Sequence, residues 1–65
     1  MLAEQRYKEI SEILEREGSV KTVTLCGILG TSRETVRRDL ETMEERKMLK
    51  RIHGGAMRVE PEEEA

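Results

Sequence analysis

The chain has no tryptophan and no phenylalanine, and Tyr7 is its only aromatic residue. Any core must therefore be built from Leu, Ile, Val and Met. Hydrophobic residues make up 35% and charged residues 40% of 65 positions, near the size at which one core supplies only a few kcal/mol. One small domain fits these limits; an enzyme-sized pocket does not. With Cys26 the single cysteine, no internal disulfide can form, and with His53 the single histidine, these two residue types cannot supply the ligands of a zinc site. Cys26, next to Leu25, reads as a small core filler. No apolar run approaches the roughly 18 residues of a membrane span, and Met-Leu-Ala-Glu-Gln-Arg has no apolar signal region, so a reducing, cytoplasmic setting is expected. A glycine-rich phosphate loop with its lysine is also missing, so neither a cofactor nor a catalytic set is expected.

What is present is charge, unevenly spread. The net charge of −2 argues against a nucleic-acid partner until its distribution is considered. Glu4, Glu9, Glu12, Glu15 and Glu17 crowd the first segment, and Glu60, Glu62, Glu63 and Glu64 the last. Between Arg46 and Val59 there is no carboxylate, while Arg46, Lys47, Lys50, Arg51 and Arg58 fall there.

Ala3, Tyr7, Ile10, Ile13 and Leu14 follow helical spacing until Gly18, which predicts a first helix over 3–17. Ser19-Val20-Lys21 allows a short strand. Thr22 suits the cap of a second helix over 23–29, with Leu25, Ile28 and Leu29 inward and Gly27 costing about 1 kcal/mol relative to Ala. Gly30 permits a left-handed turn, and Thr31 or Ser32 can cap a third helix over 33–46, Thr31 and Glu34 having capping-box spacing. Val36, Leu40 and Met43 form its buried stripe; Glu34, Thr35 and Arg38 lie opposite. Met48 to Val59 reads as a hairpin closed by Gly54-Gly55, which would set Arg51 opposite Arg58 and Ile52 opposite Met57. Ile52, Met57 and Val59 would then pack, while Arg51, His53 and Arg58 share a basic face. Residues 60–65 are expected to be an acidic tail or the start of a linker.

The expected fold is thus mainly α with a small β-hairpin, a winged helix-turn-helix of three helices plus wing over residues 1–59. The helix-turn-helix covers about 20–39 and the wing about 48–59. In that pattern the second helix of the motif enters the major groove of DNA. Thr31, Ser32, Thr35 and Arg38 are the candidates for close contact, with Arg37, some 100° around the wheel from Val36, placed for a flanking phosphate. Lys50, Arg51, His53 and Arg58 are the wing candidates, and Gly54 and Gly55 form its turn. Glu41 and Glu45 would repel phosphates, so only the first two turns of the helix should insert. The bland reading of Arg37 and Arg38 is a solvated face with Glu34–Arg38 and Arg37–Glu41 pairs, each worth about 0.2–0.5 kcal/mol. A protein-interaction module without DNA binding is the alternative at the level of function.

Glu17-Gly18-Ser19-Val20, Leu29-Gly30-Thr31-Ser32, Glu34-Thr35-Val36-Arg37-Arg38-Asp39-Leu40 and Arg51-Ile52-His53-Gly54-Gly55-Ala56 together resemble the amino-terminal domain of the DeoR family of bacterial transcriptional regulators. The resemblance spans roughly residues 4–59. It implies a repressor-type domain for double-stranded DNA, followed by a sensor domain that binds a phosphorylated sugar or related metabolite in a homo-oligomeric protein. Two departures stand out: Lys47 where such proteins usually end the third helix with Gly, and Gly27 where a helix former is usual.

Overall fold

Gly18 marks the first change of direction in the chain. In the structure, a computed structural model that describes residues 1–59, helix α1 (Ala3–Glu17) ends there, with Gly18 at φ 88° and its N–H bonded to the Leu14 carbonyl at 2.8 Å. As the spacing predicts, α1 buries Tyr7, Ile10, Ile13 and Leu14 on one stripe. The expected acidic tail lies outside the described residues.

Strand β1 (Ser19–Lys21) leads directly into α2 (Thr22–Leu29). Thr22 is the first residue of the helix and not its cap: Lys21 holds the cap position without a side-chain bond, and the Thr22 N–H bonds to the Gly54 carbonyl at 2.9 Å. Helix α2 turns Leu25 and Leu29 inward. Ile28, expected inside, is 52% exposed, because eight residues give room for one buried i, i+4 pair and Ile28 lies a step around the wheel from it.

Gly30, at φ 64°, turns the chain into α3 (Arg33–Glu45), whose cap is Ser32. The Ser32 hydroxyl accepts the Thr35 N–H at 3.2 Å, so the Thr31–Glu34 box goes unused. Val36, Leu40 and Met43 are buried as expected and join Ile10 and Leu25 at the centre of the core. The helix stops one residue short of the expected Arg46. Lys47 is left-handed at φ 61°, and the bonds Lys47 N–H to Glu44 O and Met48 N–H to Met43 O, both 2.9 Å, complete a Schellman turn. That is the conformation for which a Gly is the usual residue.

The wing departs most from expectation. Strands β2 (Leu49–Ile52) and β3 (Gly55–Arg58) pair Ile52 with Gly55, Arg51 with Ala56, Lys50 with Met57 and Leu49 with Arg58. The turn is therefore His53-Gly54, Gly54 alone taking positive φ at 80°. Arg51 does not face Arg58, and the buried side of the hairpin carries Leu49 and Ala56 in place of Ile52, Met57 and Val59. The cause is β1, which pairs with β3 to give the sheet order β1-β3-β2. Opposite Lys21, Gly55 lies so close to β1 that a Cβ there would stand 2.2 Å from the Val20 carbonyl oxygen. Gly55 is thus a strand residue needed for backbone approach, not a turn residue.

Candidate nucleic-acid interface

Helix α3 is held from behind by its buried stripe and by the Arg6–Asp39 ion pair. Asp39, 3% exposed, accepts hydrogen bonds from Arg6 of α1, Nε to Oδ2 at 2.5 Å and Nη2 to Oδ1 at 3.1 Å. In the sequence Asp39 stands out only through the family resemblance. That it faces inward follows from its place three residues after Val36 on the same stripe.

The opposite face is what the domain shows to solvent. Arg38 is well exposed, 74% of its side chain accessible, with Nε 3.5 Å from Glu34. Arg37 is held more firmly, Nη2 2.6 Å from Glu34 and Nη1 3.6 Å from Glu41. Both i, i+4 pairs of the bland reading are present, and the closest contact is the i, i+3 pair Glu34–Arg37. The hydrogen bond and charge of Arg37, with a smaller effect of Arg38, hold the Glu34 carboxyl below the usual carboxylate range, and Glu34 in turn raises the Arg37 guanidinium. Ser32 and Thr35 stand side by side, Ser32 Oγ donating to Thr35 Oγ1 at 3.1 Å, and Thr31 is half-buried in the turn before them.

The candidate wing residues divide. Lys50 and His53 are exposed, the first on the edge strand β2 and the second in the turn. Arg51 is half-buried against α3: its N–H bonds to Glu44 at 3.0 Å and its Nη1 lies 3.8 Å from Glu41. Arg58 donates to the Glu15 carbonyl at 3.2 Å, at the C-terminal end of α1 and away from the wing turn. The basic face expected from Arg51, His53 and Arg58 is therefore not one surface. The carboxylates absent from the wing's own sequence are brought to it by α3, a long-range contact that local charge counting cannot see.

Between the first turns of α3 and the wing runs an open cleft of roughly 480 Å³. Lys21, Arg33, Arg37 and Arg51 all line it, and among the described residues Glu34 is the one carboxylate in its lining. Lys21 and Arg33 carry no sequence signal of their own, since neither lies on a recognisable stripe. A surface with an exposed arginine on a rigid, capped helix and a basic cleft beside it can take a duplex with its phosphates.

No helix among the described residues is long and apolar enough to cross a membrane. No solved structure matches the chain. Among curated proteins it is 42% identical to the uncharacterized HTH-type transcriptional regulator FruR of Bacillus subtilis, over 95% of this chain and 27% of that protein. It is 45% identical to the lactose phosphotransferase system repressor of Staphylococcus epidermidis, over 78% of this chain and 20% of that protein. It is 37% identical to the HTH-type transcriptional repressor GlcR of Bacillus subtilis, over 88% of this chain and 22% of that protein. The chain thus spans about a fifth to a quarter of the length of these relatives. The DeoR-like helix-turn-helix domain model matches residues 6–62, and with the winged fold and the outward face of α3 in place, the chain belongs to that family.

Proposed function

We propose that the domain binds double-stranded DNA sequence-specifically, with the first two turns of α3 in the major groove and the wing against the adjoining backbone or minor groove. The observation that carries this reading is Arg38, exposed on the early turns of a helix fixed from behind by Val36, Leu40, Met43 and the Arg6–Asp39 pair. Ser32, Thr35 and Arg38 make the close contacts, Thr31 lies at their edge, and Arg37, Lys50, Arg51 and His53 serve phosphates. Arg58 supports the base of the wing through Glu15.

Within a longer protein the domain represses genes of sugar metabolism; the lactose phosphotransferase system repressor is named for such a role, and GlcR is named as a transcriptional repressor. A homo-oligomer that joins two half-sites, and a phosphorylated sugar bound by a separate domain, complete the proposal. The role is binding in the cytoplasm, without catalysis.

Selection of duplexes from a random pool, followed by salt titration on the selected and a scrambled duplex, tests it. Specific binding that weakens steeply with salt is expected. Failure to enrich any duplex, with no salt-sensitive complex at low ionic strength, would overturn it.

A further inference from the structure

Lys21 and Arg33 form no ion pair with any described residue, although they line the same cleft as Arg37 and Arg51. The four cations come from distinct parts of the fold: Lys21 from the junction of β1 and α2, Arg33 and Arg37 from successive turns of α3, and Arg51 from β2. They meet only because β1 pairs with β3, setting Lys21 beside Gly55. Arg37 and Arg51 are partly neutralised through Glu41, which lies 3.6 Å from the first and 3.8 Å from the second. Among the described residues, the positive charge of the cleft that no ion pair compensates is therefore that of Lys21 and Arg33.

We infer that this cleft seats one phosphodiester group of the DNA backbone, with Lys21 and Arg33 as its principal ligands and Arg37 and Arg51 at its rim. This rests on the DNA-binding reading above and adds to it a defined phosphate site. The geometry supplies the reason. A strand of phosphodiesters separates each groove of duplex DNA from the next, so a helix in one groove and a hairpin beyond its border must admit that strand between them. The space between α3 and the wing is this cleft. Phosphate contact here carries no base information; it fixes the depth and register at which Arg38 meets base edges. A phosphodiester is favoured over a free phosphate ion because the cleft is open to solvent and its walls are the two elements that flank a backbone strand.

The test uses the 65-residue chain and a duplex selected in vitro. Lys21→Gln and Arg33→Gln are compared with Lys8→Gln, which removes the same charge from an exposed site on α1 outside the cleft. Lys21→Gln and Arg33→Gln are each expected to lower affinity about tenfold on selected and scrambled duplexes alike, and to reduce the salt slope by about 1, while Lys8→Gln leaves that slope unchanged. Neutral methylphosphonates placed one at a time along the duplex should include one position that weakens the unaltered domain about tenfold and leaves both cleft variants unaffected. Circular dichroism of all three variants should match the unaltered domain, since the altered residues are exposed. If the unaltered domain binds the duplex but Lys21→Gln and Arg33→Gln behave like Lys8→Gln, the site is wrong while the DNA-binding reading stands. If the unaltered domain binds no duplex, that reading itself fails. Saturable binding of inorganic phosphate at Lys21 and Arg33, with no methylphosphonate-sensitive position, would assign the cleft to a free ion and overturn the inference.

Discussion

Arg6 and Asp39 meet in a two-pronged ion pair across 33 residues of sequence, with only 17% and 5% of their side chains exposed. The pair joins α1 to the buried side of α3, so the helix offered to DNA is also a structural strut. Removing one partner leaves the other poorly solvated. Asp39→Ala is expected to cost about 3 kcal/mol, a large share of the stability of a domain this small. Arg6→Met with Asp39→Leu should recover most of that loss, because apolar packing can replace a buried pair. Urea unfolding of the single and double variants measures both, and a loss below about 1 kcal/mol for Asp39→Ala would show that water replaces the partner.

Lys47 at φ 61° completes the Schellman turn after α3 with a residue that has a Cβ. The left-handed conformation costs an L-residue about 1–2 kcal/mol, against about 0.5–1 kcal/mol of extra chain entropy for Gly. Lys47→Gly should therefore stabilise the domain by about 0.5–1 kcal/mol, seen as a higher urea midpoint at unchanged slope. A lower midpoint would refute this account of the turn.

Gly54 and Gly55 are adjacent in sequence and differ in kind. An added Cβ at Gly54 meets nothing within 4 Å, whereas at Gly55 it meets the backbone of Val20 and Lys21. Gly54→Asn should cost under about 1 kcal/mol, since Asn tolerates positive φ. Gly55→Ala should cost about 2 kcal/mol or more by forcing β1 from β3. Because β3 is the central strand and Ala56 is fully buried, helical circular dichroism is expected to melt together with the sheet.

Acid should loosen the face of α3. The Glu34 carboxyl lies below its ordinary value of 4.5, chiefly through Arg37. A lowered folded value means that the pair's contribution is complete above pH 4.5 and is lost as pH falls through the lower folded midpoint. Carbon-detected NMR titration of the carboxyl should place its midpoint below 4.5, and Arg37→Gln should return it towards that value. An unchanged midpoint in Arg37→Gln would mean that the pair does not persist in solution.

Arg38 and Lys50 should lose different things on mutation. Arg38→Ala is expected to cost about 1–3 kcal/mol on the selected duplex and much less on a scrambled one, as for a guanidinium that reads a guanine. Lys50→Ala, on the edge strand of the wing, should weaken both duplexes alike and lower the salt slope by about 1. Equal losses on both duplexes for Arg38→Ala would make it a phosphate anchor.

The helices were legible in the sequence because their signals are local. Tyr7, Ile10, Ile13 and Leu14, and again Val36, Leu40 and Met43, recur at the helical period, and Gly18 and Gly30 stop their helices by their own backbone freedom. The family motif marked the outward face of α3 for the same reason: Arg37 and Arg38 follow from their spacing to Val36. The wing's register was not legible. A hairpin of Met48 to Val59 taken alone admits either Gly54-Gly55 or His53-Gly54 as its turn; the two registers differ by two residues, so both keep Arg51 and Arg58 on one face and Ile52 and Met57 on the other, and the hairpin alone does not say which face packs. Only pairing with β1, more than thirty residues earlier, selects Ile52 opposite Gly55, because Gly55 alone allows the Val20 carbonyl to approach so closely. The same long-range pairing moves Arg58 towards α1, brings Glu41 and Glu44 to Arg51, and sets Lys21 beside the cleft with Arg33. Periodicity determined which helix faces outward; contacts between residues distant in sequence decided which charges surround it.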